Sequence, residues 1–371
     1  DLKRLFEAEL SSWKNLDYIA GWFFKAAAYA TKTQCDFAFV STNSICQGQQ
    51  VPLLWPLMKE LGVSIRFPHT SFKWANLAAA NAGVTVVVVG CATNSPAGCE
   101  LFVSDDHGVV SRRSVASINA YLIAGPWVIA DPESRAPDGR GNMLKGNMPS
   151  DGGCLILSPD ERRALIADSP EAQKYIQGYF GSHDFIHGDG RYCLWIEDDD
   201  LEMAQSIPCI ASRLEGVRQF RSEAKAPTTR PYAKFPNRFR QVQAVAKEYS
   251  LVVPSHTSEN RSFLPVGLLP ARNIVSNAAL VIYDSPIWGL SVIASRLHLI
   301  WISTICGKIK TDYRYSNTMG WNTFPVPTLT EQNKADLTAC GQEILLARES
   351  HFPATIADLY DPESMPDDLR R

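Results

Sequence analysis

The sequence predicts an α/β chain: the second half of a doubly wound sheet, then a mixed α+β region and a C-terminal helix. Three observations carry this. An apolar strand, Phe37 to Val40, runs through the polar cluster Ser41 to Ser44 into a helical stretch, Val51 to Leu61. A nearly unbroken β-branched run, Val84 to Val89, fits a strand buried on both faces. From about Ser114 the text changes to short strands separated by Gly, Pro and Asn.

The elements follow in order. Trp13, Leu16, Ile19, Ala20, Phe23 and Phe24 recur at three- and four-residue spacing, which predicts an amphipathic helix from Trp13 to Tyr29. The next helix starts after Gln47-Gly48 and is expected to break at Pro52 and Pro56. Val63 to Phe67 reads as a strand. Strand, helix, strand, loop, strand is half of a doubly wound sheet, and without the other half that sheet exposes an unnatural edge. Residues 138–142 and 145–153 are Gly-rich turns. Pro159 to Phe180 reads as helical, capped by Ser158 or Asp160. A helix starts at Asp198 to Glu202, and Pro227 to Pro236 is an irregular basic loop. Ile287 to Ile305 reads as a core helix, and Leu329-Thr-Glu331 opens a last helix to about Glu349.

Length and composition bound the function. A chain of 371 residues accommodates two or more domains. Its 45% hydrophobic and 20% charged residues are those of an ordinary globular protein. No charge-free apolar run approaches the roughly 18 residues of a membrane span, so no membrane partner is expected. Nine cysteines without a Cys-x-x-Cys pair argue against a zinc site and fit reduced thiols in a cytoplasmic protein. Cys209, after Pro208, reads as a buried thiol. The net charge of −3 excludes a uniformly basic nucleic-acid binder but not a local basic strip. Glu223-Ala-Lys225 with Asp198 to Asp200 imitates a metal-dependent nuclease pattern, but the triplet lies in a basic loop with no strand before it.

The string Asp36-Phe-Ala-Phe-Val-Ser-Thr-Asn-Ser-Ile-Cys-Gln-Gly-Gln-Gln-Val-Pro resembles the strand after the catalytic motif in MmeI-like restriction–modification enzymes, which are amino-methylating DNA adenine methyltransferases. Four later pieces resemble the same family in the same order. They are Phe67 to Asn76 with Asn81 to Gly90; Gly181 to Gly188 with Arg191 to Ile196; Pro254 to Phe263; and Asp312 to Pro327. The resemblance implies a class I methyltransferase sheet over residues 1–113, a DNA target-recognition domain over 114–327 and a C-terminal helical segment over 328–371. It also implies transfer of a methyl group from S-adenosylmethionine to adenine N6 in double-stranded DNA. The family's Gly-rich cofactor loop and its Asn-Pro-Pro-aromatic tetrapeptide are not in this text. The chain therefore reads as the C-terminal part of a larger enzyme, with the missing N-terminal part as its partner and no cofactor or catalysis of its own.

Methyl transfer to adenine needs a flipped base, acceptors for its amino hydrogens and an in-line sulfonium methyl. In the family an aromatic residue before the Val84-type strand stacks on that base, which implicates Phe72 or Trp74; both could equally pack under the sheet. Asn43 and Ser44 could line the same pocket or simply cap the turn. DNA phosphate contacts are expected from the strip Arg213, Arg218, Arg221, Lys225, Arg230, Lys234, Arg238, Arg240 and Lys247, interleaved with Phe220, Tyr232, Phe235 and Phe239. Ser258, Glu259, Asn260 and Arg261 are candidate base readers, although Glu259 and Arg261 could form a structural ion pair. Lys308, Lys310, Arg314 and Asn317 form a third candidate segment. The competing reading is a non-catalytic DNA specificity subunit, which Pro325 to Gln332 also resembles. Such a subunit has no need of the Val40-Ser-Thr-Asn strand or the Phe72-Lys-Trp74 loop.

Overall fold

The computed structural model describes residues 1–371 except 75–83, 94–97, 106, 107, 138 and 371. Two compact units emerge: residues 1–134 with 300–325, and residues 135–299 with 326–371.

In the first unit, α1 (Leu2–Phe6) precedes α2 (Tyr18–Thr33). The periodicity that starts at Trp13 covers a short 3₁₀ turn and this helix rather than one helix. Gln50 holds the break by accepting from the Asp17 amide and donating to the Asn15 carbonyl. Ala20, Phe23, Ala27 and Ala30 form the buried stripe of α2, while Tyr18, Trp22 and Tyr29 stay exposed on the opposite side. Strand β1 (Phe37–Thr42) leads into α3 (Gln50–Glu60). The expected breaks in α3 do not occur. Pro52 sits in the first turn, where an amide has no intrahelical acceptor, and Pro56 forfeits one bond in a helix anchored by buried Val51, Leu54, Trp55 and Met58.

Strands β2 (Ser64–Lys73), β3 (Thr85–Ala92), β4 (Cys99–Ser104) and β5 (Val110–Val115) complete a sheet of order β1-β3-β2-β4-β5. β3 runs antiparallel to both β1 and β2, and β2 is parallel to β4. One face carries Phe37, Phe39, Val87, Val89, Ile65 and Leu101 into the core with α2 and α3. Phe39 meets Phe23 at 5.1 Å, and Trp55 meets Phe23 at 6.2 Å. The other face carries Ala38, Val40 and Thr42, all exposed, in register with Gly90, Val88 and Val86. The outer edge of β1 has no strand partner among the described residues.

The second unit opens with β6 (Leu144–Lys145), β7 (Ile156–Leu157) and α4 (Pro159–Asp168). Ser158 and Glu161 close a reciprocal cap on α4. The single helix expected over 159–180 is not formed: Asp168 ends α4, a 3₁₀ turn begins at Pro170, and Ile176–Phe180 is strand β8. Pro170 has no amide to continue the helix, and buried Tyr179 and flanking bulky residues suit a strand. Then come α5 (Ser182–His187), β9 (Arg191–Leu194), α6 (Leu201–Gln205) and α7 (Pro208–Ser222). Cys209, in the first turn of α7, is half-buried rather than buried. After them run β10 (Tyr249–Pro254), β11 (His256–Thr257), β12 (Gly267–Pro270), β13 (Asn273–Val275) and β14 (Ala279–Tyr283). With β6 to β9, the strands other than β11 build two four-stranded sheets, β12-β10-β14-β6 and β13-β8-β9-β7. The expected core helix over 287–305 is two helices, α8 (Trp288–Ala294) and α9 (Arg296–Ile305), because Ser295 turns extended and stops the first. Thr330 caps α10 (Glu331–Ser350) as expected.

The chain returns to the first unit within α9. There β15 (Lys308–Ile309) and β16 (Asp312–Arg314) form a hairpin. Gly48 donates to the Ile305 carbonyl at 3.0 Å, and Asn322 donates to the Glu133 carbonyl at 2.7 Å. No single described helix is long and apolar enough to cross a membrane.

Close approach of the chain after β6 to the end of β13 makes a sharp demand on Gly146. A Cβ there would stand 2.3 Å from the Ser276 carbonyl oxygen and 2.4 Å from that of Val275, and neither backbone atom can swing away. Gly146→Ala is therefore expected to destabilise the protein by about 3 kcal/mol, read as a lower denaturation midpoint with an unchanged slope.

Candidate base pocket and nucleic-acid interface

Register alone brings the predicted pocket residues to one end of the first sheet. Thr42 pairs with Val86, and Val86 pairs on its other side with Phe72. Since β1, β2 and β4 run parallel, their carboxyl ends at Thr42, Lys73 and Ser104 lie together, where open α/β sheets place their ligands. Thr42 and Phe72 stand two strand spacings apart, about 10 Å.

The turn after β1 is tightly held. Ser44 donates to Asp17 and shares a 2.8 Å hydrogen bond with Thr42, so its hydroxyl secures the turn. Trp55 donates its indole N–H to the Ile45 carbonyl at 2.8 Å. Asn43 is 8% exposed, and its amide nitrogen has no partner among the described residues, a buried donor that calls for one. The amides of Gln47, Gly48 and Val51 already donate to backbone carbonyls.

Phe72 is half-buried, with its ring edge-on to His69 at 4.5 Å. Trp74 is 41% exposed, and its ring lies 6.4 Å from Phe72. Residues 75–83, which include the end of the loop quoted from the sequence, lie outside the described residues.

The basic strip divides into two classes in the second unit. Arg221 is wholly buried and donates to five backbone carbonyls, those of Pro149, Ser150, Tyr232, Phe235 and Arg238. That geometry corrects the expectation of a phosphate contact: the guanidinium is the hub that closes the loop after α7. Arg213 donates to Glu161 at 2.7 Å and to the Cys154 carbonyl at 3.0 Å. Backbone donation from Ser158, with the Arg213 contact, holds the Glu161 carboxyl below its usual range. Arg218 pairs with Glu215. Arg238 forks onto Asp198, whose carboxyl is lowered first by that bond and then by Asn237.

The second class faces solvent, except that Arg240 is half-buried. Lys225, Lys234 and Lys247 are exposed and have no side-chain ion pair among the described residues. Arg230 is exposed, and among the described residues its side chain donates to the Ala224 carbonyl alone. Arg240 donates to Thr228, and its guanidinium lies 5.9 Å from the Tyr232 ring, as Arg238 lies 4.6 Å from Phe235. Tyr232, Arg238 and Arg240 line a cleft of about 500 Å³. Of the interleaved aromatics, Phe239 is buried, whereas Phe220, Tyr232 and Phe235 are exposed.

Two family models match the chain: the MmeI DNA-methyltransferase domain over residues 1–103 and the MmeI target recognition domain over residues 124–328. The chain belongs to the MmeI-like restriction–modification family. It is 38% identical over 371 residues to DNA methyltransferase A of Bacillus subtilis (strain 168), spanning 41% of that protein. A solved structure of the Type IIL restriction–modification enzyme MmeI in complex with DNA superposes on the whole chain with a TM-score of 0.91 at 32% identity. The chain spans 49% of that MmeI chain, and so about half or less of the relatives it matches.

In this MmeI-like chain the two remaining candidate segments fall in different units. Ser258 to Arg261 belongs to the second, as a turn after β11. Glu259 is half-buried and makes no ion pair among the described residues, so the structural Glu259–Arg261 pair considered from sequence is not formed. Ser258 accepts from the Asn260 amide, and Arg261 donates to Thr257 at 3.4 Å. Lys308, Lys310, Arg314 and Asn317 belong instead to the first unit, on and after the β15–β16 hairpin. Lys310 and Arg314 are exposed, and the Lys308 ammonium lies 5.1 Å from the Tyr313 ring. Sequence reasoning passed over His69 and Ser104. The signal was the His69-Thr-Ser-Phe72 spacing, too short for a helix and odd for a strand face.

The two classes of arginine predict opposite outcomes. Arg221→Ala strands five carbonyls and is expected to cost about 3 kcal/mol or more of stability. Arg230→Ala is expected to stay within about 0.5 kcal/mol. Chemical denaturation of both variants measures the contrast.

Proposed function

We propose that this chain is the base-side and DNA-reading part of a site-specific methyltransferase that moves a methyl group from S-adenosylmethionine to adenine N6 in duplex DNA. The observation that carries the reading is the convergence of Asn43, Phe72 and Trp74 at the carboxyl end of the sheet, in a chain whose second unit matches a target-recognition model. A ring beside that sheet end stacks on an extruded base, worth about 1–3 kcal/mol. Family membership over residues 1–103 favours this over a specificity subunit alone.

The engaged amides of Gln47, Gly48 and Val51 favour binding of the methyl donor elsewhere in the enzyme. In this reading the donor and the acceptors for the adenine amino group come from the remainder of the enzyme, which works in the cytoplasm. The exposure of Ala38, Val40 and Thr42 and the edge of β1, unpaired among the described residues, support that division, since doubly wound sheets are covered on both faces. In the second unit, Lys225, Arg230, Lys234 and Lys247 position DNA through phosphates, and the 258–261 turn reads base edges.

The reaction class is tested by nucleoside analysis of duplex DNA treated with the complete enzyme and methyl donor. N6-methyladenine is expected, and a methylated cytosine instead would overturn the reading. The isolated chain is expected to bind no S-adenosylmethionine in calorimetry; micromolar binding would sink the division of labour.

The interface is tested by titrating DNA binding of the complete enzyme against salt. Replacing Lys225, Arg230 and Lys234 with Ala is expected to flatten the log–log slope by about 0.9 per lost phosphate contact, uniformly across sequences. Exchanging Glu259 or Arg261 is expected to relax preference at one base pair by about 1–3 kcal/mol while methylation continues. An unchanged recognition sequence with lower activity would move the reader role to Lys308–Asn317.

A further inference from the structure

Phe72 owes its orientation to an irregularity. On a regular strand, residues three apart point to opposite faces. His69 pairs with Val88 and Phe72 with Val86, so three steps on β2 oppose two on β3, and one residue of β2 is extra. This β-bulge at Thr70–Ser71 returns Phe72 to the face that carries His69, in line with Thr42 of β1. Bulges beside functional sites re-aim side chains in this way.

His69 is fixed on both sides of its ring. Its Nδ1 lies 2.9 Å from the Thr70 carbonyl, which can only accept, so Nδ1 carries the hydrogen. In the neutral imidazole Nε2 is then the acceptor and takes the Ser104 hydroxyl, 3.4 Å away on β4. The imidazole thus bridges β2 and β4 and meets the Phe72 ring in a T-shaped contact at 4.5 Å, which removes freedom from that ring. Among the described residues Trp74 has no comparable support: it is 41% exposed, and its one ring contact there is with Phe72 at 6.4 Å.

We propose that His69, braced by Ser104 and by the bulge at Thr70–Ser71, is a positioning residue that presents Phe72, rather than Trp74, to the extruded base. The inference rests on the base-pocket reading above and adds which ring serves and what holds it. A preset ring loses less freedom when the base arrives, so the support acts on the stacked state and not on affinity for duplex DNA.

The complete enzyme is assayed for methyl transfer with Phe72→Ala, Trp74→Ala, His69→Ala, Ser104→Ala and the His69→Ala/Phe72→Ala double variant. Phe72→Ala is expected to lower kcat about 100-fold, and Trp74→Ala less than threefold. His69→Ala is expected to lower kcat about tenfold, with KM for DNA and the thermal midpoint retained. The double variant is expected to be no slower than Phe72→Ala alone, because both act through one ring. Additive losses in the double variant, or an unchanged kcat for His69→Ala, would overturn the positioning role. A larger loss for Trp74→Ala than for Phe72→Ala would assign the other ring and overturn it too. Should His69→Ala not fold, Ser104→Ala removes only the brace; its kcat is expected to fall about threefold in the native background and not at all beside Phe72→Ala. Normal kcat in both ring variants would defeat the base-pocket reading itself, an outcome distinct from failure of the brace.

Discussion

Strand β3 is the constraint on which the first unit depends. It pairs antiparallel with β1 on one side and β2 on the other, and this double pairing alone makes β1 and β2 parallel. Parallel strands end on the same side, so the polar turn after β1 and the aromatic end of β2 meet although about 30 residues separate them in the chain. The β-branched run of β3 suits that central place. Val87, Val89 and Cys91 fill the face under α2 and α3, and Gly90 leaves room for the Phe67 ring on the other, where a Cβ would come within 2.4 Å. A one-residue slip would reverse every one of these assignments. Two bulges in β2, after Ile65 and after His69, therefore act as register devices as much as local irregularities.

Charge in the second unit follows a different logic from its count. Four of the strip's arginines are engaged by the chain itself: Arg213, Arg218 and Arg238 with carboxylates, and Arg221 with the carbonyls of the loop it closes. A long loop without sheet partners must satisfy its backbone carbonyls somehow, and a buried guanidinium with five donors can serve several at once. The exposed cations left over are mostly lysines, which suit sequence-independent contact with phosphates because they act as mobile point charges.

The two sheet faces of the first unit also differ in a way that bears on function. The face toward α2 and α3 is packed, while the one bearing Val40, at 47% exposure, is open. The same face carries His69 and Phe72, both half-buried.

The sequence by itself determined the family, the strand–helix–strand order of the first hundred residues and the cap at Thr330, and narrowed the α4 cap to Ser158 or Asp160, because these depend on local patterning and capping chemistry. It also brought attention to Asn43, Phe72 and Trp74 through the quoted motif strings. Tertiary structure decided the rest. Tyr179 and its neighbours were legible as apolar but not as strand, since Pro170 ended one element and pairing with β9 and β13 created the other. Segment 300–325 reads in sequence as a continuation of the recognition region, yet its backbone bonds to Gly48 and Glu133 place it with the first sheet. Arg221 and Arg230 look alike in a run of cations; only long-range burial separates a loop's internal hub from a solvent-facing charge, because a buried cation persists only where the fold supplies acceptors around it.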